Sequence, residues 1–166
     1  MTSDPTPDSN NAVQKIAELA KGIDFAMLTT VDETGAFVSR PMAQQDTDFD
    51  GNLWFLSSRD SRKVSQIAAN PRVGVALTSR DVWVSVNGTA EVLEDRAKAS
   101  ELWSPQMDGW FPQGPDDPSV VVVKVTGETA EYWDTPGGLV ASALSFVKVK
   151  TTGSRYHGND NEVVEL

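Results

Sequence analysis

The chain has 166 residues, 14 of them Lys or Arg and 24 Asp or Glu, giving a formal net charge of −10 and an isoelectric point near 4.4. That balance argues against non-specific binding to nucleic acid or anionic lipid. The lack of cysteine excludes disulfides, thiolate catalysis and Cys-ligated metals, and the single histidine, His157, excludes a His-rich metal site.

A chain of this length can bury one core without staples. Five tryptophans are many for it, and each is costly to leave exposed, so they should serve a core, a ligand site or a subunit interface. No apolar run approaches the ~18 residues of a membrane span. The start, "MTSDPTPDSNN", is acidic and polar, the reverse of a signal peptide. A soluble, cytoplasmic protein is expected.

In chain order, residues 1–10 read as a disordered tail. Val13, Ile16, Ala17 and Ala20 follow the spacing of an amphipathic helix ending near Gly22. From Phe25 the period changes to two. "FAMLTTV" and "AFVSRPMA" flank the turn "DETG" as a hairpin, and "LWFLSS" follows the turn "TDFDGN". Then comes "SSRDSRKVSQI", with Arg59, Arg62 and Lys63 at the start of a helix that Asn70-Pro71 stops. "RVGVALT" and "VWVSVNGTAEVLE" are further strands; Gly88 inside the second predicts a bulge or a close backbone approach. "DRAKASELW" is a short helix capped by Asp95. Residues 103–118 are broken by Pro and Gly, yet carry Trp110 and Phe111 and should pack on something, either as a lid over a ligand or against the body of the fold or across a dimer. "SVVVVKVTGETAEYWD" is the last clear strand. Residues 135–150 have no clear period, and 151–166 read as a polar, mobile tail. The organised domain is thus 11–150: mainly β, with about six antiparallel strands and short peripheral helices.

A helix start presents unpaired N–H groups and a partial positive charge. Cations there are disfavoured unless an anion lies between them. Arg62, Lys63 and the hydroxyls of Ser57, Ser58 and Ser61 would suit a phosphate. The competing reading is that Arg59, Arg62 and Lys63 are solvated charges paired with the acidic excess. Arg40 lies in a strand just before Pro41, a position for a sheet edge, and either reaches a ligand or forms a surface ion pair.

Together, "LTTVDETGAFVSRPM", "GNLWFLSSRDSRKVSQIAANPRVGVAL", "VWVSVNGTAEVLED" and "AEYWD" resemble the FMN-binding split barrel of pyridoxamine 5′-phosphate oxidase and its relatives, over roughly residues 12–135. "ELWSPQMDGWFPQGPDDPSVVVVKV" is similar to the general stress protein 26 type within that group. The resemblance implies a six-stranded antiparallel split β-barrel and a homodimer with FMN at the subunit interface. It places Arg40 at the flavin's phosphate-ribityl region or ring edge, and Pro41 and Met42 along the ring through backbone groups. Leu56 and Ser57 match a strand-end pair that meets the flavin, Ser57 standing where the family often has Thr. Arg62 and Lys63, with Ser61, match the "SRK" phosphate grip. Trp83 stands where the oxidases carry Gln, and Trp133 matches an aromatic that reaches the flavin from the second subunit. The substrate-phosphate grip of the true oxidases is missing: Gln44 and Gln45 replace its Lys, "RAKASELWS" lacks its Tyr-Arg pattern, and "WDTPGGLVASAL" lacks its Arg and His. Vitamin B6 oxidation is therefore not expected. The implied activity is an FMN-dependent oxidoreductase of the general stress protein type. The alternatives are a non-catalytic flavin sensor and a relative that binds deazaflavin F420 instead. Haem is disfavoured because His157 lies outside the barrel.

Overall fold

Among the described residues, the runs of period-two alternation become strands. The fold was obtained as a computed structural model that describes residues 7–45, 47–134 and 160–166. The order is α1 (Pro7–Ala20), β1 (Phe25–Val31), β2 (Phe37–Ala43), β3 (Asn52–Ser58), α2 (Arg62–Ala69), β4 (Arg72–Thr78), β5 (Val82–Leu93), α3 (Arg96–Glu101), a 3-10 turn (Pro105–Gly109), β6 (Val120–Asp134) and β7 (Asp160–Glu165). Residues 135–150 and His157 lie outside the described residues. Among those described, no helix is long and apolar enough to cross a membrane.

All recorded strand pairs are antiparallel, in the path β2-β1-β4-β5-β6-β3. The sheet is mainly antiparallel and of split-barrel type, but it does not close. Its edges, β2 and β3, approach without pairing. Pro41 sits on such an edge, where its missing N–H costs no ladder bond.

The inner face carries the larger core: Ala26, Leu28, Phe55, Val75, Leu77, Val84, Val86, Val123 and Val125, joined by Ile16 and Ala20 of α1 and Ile67 of α2. A smaller core packs Leu56 and Val122 against Ala99, Leu102, Met107 and Phe111. The broken 103–118 segment thus anchors itself through Met107 and Phe111, while Trp110 stays exposed. Its carboxylates serve local structure: Asp108 accepts from Trp103 Nε1 at 2.9 Å, and Asp117 from the Ser119 N–H and hydroxyl at 2.8 and 2.7 Å.

Three expectations need correction. Among the described residues there are seven strands, not six. The seventh lies in 151–166, read from sequence as a mobile tail. β7 pairs β6 from Thr129↔Glu165 to Asp134↔Asp160, Val164 enters the core, and the Leu166 N–H donates to the Glu128 carbonyl at 3.0 Å. The ladder holds a segment whose composition alone would not. At the other end α1 begins at Pro7, inside the expected 1–10 tail. Proline suits a first helical position, where its absent N–H would be unpaired anyway.

Candidate functional site

The open seam between β2 and β3 is where the cations gather. Arg40 lies on the inner row of β2, opposite Leu28. Its Nη1 donates to the Thr30 hydroxyl at 2.7 Å and to the Leu28 carbonyl at 3.3 Å, and its Nη2 to Gln66 Oε1 at 3.0 Å. None of these acceptors is charged.

The turn after β3 leads directly into α2. Ser61 is its N-cap in extended conformation, but no side chain caps the helix, and no acid stands in its first turn. The Ser61 hydroxyl instead lies 3.0 Å from that of Ser57, which also accepts from Lys63 Nζ at 3.2 Å. Ser57 is buried at 3 % exposure and neighbouring Leu56 at 5 %, so Leu56 can offer a ligand only its backbone. The helix start therefore keeps its N–H groups and two hydroxyls on the same side as the cations.

The electrostatics of this cluster are unrelieved. Burial, then the Arg62 charge, lowers the Arg40 pKa. Burial, then the Arg40 charge, lowers that of Lys63. Among the described residues the ion pairs are Lys15–Asp134, Arg59–Glu94, Lys98–Glu101 and Lys124–Glu91. None involves Arg40, Arg62 or Lys63. Asp32 feels Arg62 only as the smallest influence lowering its pKa, after the Thr34 hydroxyl and the Ala36 and Thr34 N–H groups. In so acidic a chain, an Arg40 that repels both Arg62 and Lys63, none of them ion-paired with a carboxylate among the described residues, is an arrangement that would suit an anion.

Arg59 separates from the group. It pairs with Glu94 and donates to the Pro118 carbonyl at 3.3 Å. The solvated-charge reading fits Arg59 and also the exposed Arg62, whose charge lowers the Asp32 pKa, whereas half-buried Lys63 turns to the Ser57 hydroxyl instead.

The remaining candidates divide by face. Met42 is buried on the inner face, and Pro41 is exposed on the outer one. Trp83 and Trp133 are directly opposed on β5 and β6, alternating with buried Val84 and Tyr132, so both face outward. One chain therefore does not bring them to the Arg40 cluster. They lie instead on an exposed apolar face with Phe25, Met27, Phe37 and Val163.

Two polar residues belong to the cluster that motif reading passed over. Thr30 is 0 % exposed and Gln66 6 %, and the Thr30 hydroxyl donates to Gln66 Oε1 at 2.7 Å. Alternation with Leu28 does place Thr30 inside, but nothing in the helical pattern distinguishes Gln66 from a surface residue. A separate cleft of ≈ 470 Å³ beneath α1 is lined by Glu18, Asp24 and Asp48 against Lys21. Its sign is wrong for a phosphate.

A family model described as pyridoxamine 5′-phosphate oxidase like matches residues 11–157. The chain is similar to Protein bli-3 of Neurospora crassa, 29% identical over 155 residues, covering 84% of this chain and 74% of that protein. Among solved structures, a Jannaschia sp. CCS1 protein assigned as general stress protein 26 superposes with TM-score 0.78 at 24% identity, over 95% of this chain and 99% of the other. That likeness speaks to fold alone. The general stress FMN/FAD binding protein of Xanthomonas citri superposes with TM-score 0.65 at 26% identity, over 78% of this chain and 93% of the other.

Proposed function

The chain belongs to the pyridoxamine 5′-phosphate oxidase-like family, and on that premise we propose that it binds FMN and acts as a flavin-dependent oxidoreductase of the general stress protein type. The observation that carries this reading is the convergence of Arg40, Arg62 and Lys63, none of them ion-paired with a carboxylate among the described residues, on the uncapped start of α2. A flavin phosphate is a dianion that takes many hydrogen bonds. The serine hydroxyls of residues 57 and 61, the α2 N–H groups and the three cations supply donors of the right kind.

Bound FMN would supply the electron chemistry, accepting a hydride from a reduced donor and passing electrons on. The chain's residues hold and orient it. Lys63 and Arg62 neutralise the phosphate, and Arg40 reaches from the β2 edge toward the phosphate-ribityl region. Pro41, Met42, Leu56 and Ser57 border the seam where the ring would lie. No carboxylate bonds to the cluster among the described residues, which suits redox turnover without protein acid–base catalysis. A second copy of the chain would cover the outer apolar face, and its Trp133 would then reach the flavin that this chain's phosphate grip holds; Trp83 lines the same face.

Fluorescence titrations with FMN and with riboflavin, which lacks the phosphate, test the reading. The purified protein should bind FMN and prefer it to riboflavin. Arg62→Ala and Lys63→Ala should each weaken FMN binding about tenfold while leaving riboflavin binding nearly unchanged. No flavin binding, or tight binding of a deazaflavin alone, would overturn it. Flavin reduction by a nicotinamide donor followed by reoxidation would separate an enzyme from a sensor.

A further inference from the structure

We propose that Gln66, with Thr30, is a positioning residue that aims Arg40 without neutralising it, and so sets how strongly the site prefers a phosphate-bearing flavin. The inference rests on the flavin reading above and goes beyond it, because neither residue is part of the proposed phosphate grip.

The hydrogen bonds are saturated in a particular way. Thr30 Oγ1 donates to Gln66 Oε1 and accepts from Arg40 Nη1; Gln66 Oε1 accepts from both Thr30 and Arg40 Nη2. Both residues are buried, Thr30 completely and Gln66 nearly so, which leaves little room for water to stand in for either. A guanidinium carries more N–H donors than its three bonds to Leu28, Thr30 and Gln66 use, which leaves donors for a ligand.

The choice of acceptor matters. A carboxylate at position 66 would grip Arg40 more strongly, as a charge-assisted fork. It would also cancel the charge. An amide oxygen and a hydroxyl fix the same guanidinium and leave its full charge toward the seam. The lowered Arg40 pKa is the corollary: burial and Arg62 act on it with no anion to offset them. Gln66 also sits one helical turn beyond Arg62 and Lys63 on α2. It thereby ties the β2 arginine to the helix that carries the other two cations.

Gln66→Glu and Gln66→Met separate positioning from packing. Glutamate keeps the shape of glutamine, whereas methionine keeps its length and loses the acceptor. Titrated with FMN and riboflavin, Gln66→Glu should lose about tenfold or more in FMN affinity, with riboflavin affinity held within about twofold. Gln66→Met should lose less FMN affinity than Gln66→Glu. A merely structural role predicts the reverse order, and equal losses for the two flavins. Either result would overturn the proposal. If Gln66→Glu fails to fold, Thr30→Val serves instead: it removes one anchor of Arg40, and should lower FMN affinity selectively with a native melting profile. A Thr30→Val protein that binds FMN as tightly as wild type would count against it. The two readings fail distinguishably. A wild-type protein with no preference for FMN over riboflavin sinks the phosphate site and this inference together. A wild-type preference that survives unchanged in Gln66→Glu sinks this inference alone.

Discussion

Lys63 shows what the cluster does to a single residue. Burial and then the Arg40 charge hold its pKa below the ordinary 10.5. Between that lowered value and the ordinary one, the unfolded chain binds more protons than the folded chain, so stability of the ligand-free protein rises with pH across that window. FMN affinity should run the other way. The phosphate needs the ammonium charged, so affinity should fall as pH climbs through the lowered pKa, while riboflavin affinity stays flat. Lys63→Arg should flatten the FMN curve, because a guanidinium stays charged throughout. Titrations at a series of alkaline pH values decide this, and a flat wild-type FMN curve would refute it. At this scale the sequence is informative about charge and silent about neutral partners. Arg62 and Lys63 are conspicuous because cations oppose the dipole of a helix start. Gln66 looks like any polar helix residue between Val64 and Ile67. Its partners, Thr30 and Arg40, arrive from β1 and β2, which the pattern of α2 alone does not show.

Among the elements, β5 and β6 show how one glycine sets a register. The pairing shifts at Asn87/Gly88, opposite Gly127, and a Cβ on Gly88 would run into the Thr126 carbonyl. Gly88→Ala should therefore destabilise the fold by roughly 2–4 kcal/mol, read as a lower urea midpoint. An unchanged midpoint would mean the strands can part there at little cost. This bulge was legible, since an isolated glycine in an alternating run has few other uses. β7 was not. Its "DNEVVE" holds two apolar residues, and what makes it a strand is the half of β6 that β3 leaves unpaired beyond Thr126. The start of α1 escaped for a related reason: polar composition describes the tail well, but backbone bonding to the turns that follow extends the helix back to Pro7. Local pattern thus identifies elements that bring their own apolar face, and misses those recruited by a neighbour.

At the scale of the whole molecule, the outer face of the sheet exposes Phe25, Met27, Phe37, Trp83 and Val163, with Phe37 81% accessible. So much aligned apolar surface calls for a partner surface. The proposed second copy supplies one, and sedimentation velocity tests it. The wild-type chain should sediment as a dimer. Phe37→Asp should weaken that dimer about a hundredfold, roughly 3 kcal/mol. A wild-type monomer that still holds FMN tightly would contradict the shared site. Three like charges meeting at an unclosed seam carry a further consequence. Their repulsion opposes the approach of α2 and the β2 edge as long as no counterion sits between them. An anion that binds only the folded chain relieves it, and shifts the folding equilibrium with the logarithm of its own free concentration. If the proposed flavin phosphate is that anion, folding and ligand supply would become one linked equilibrium, in which the amount of folded protein follows the amount of free anion around it.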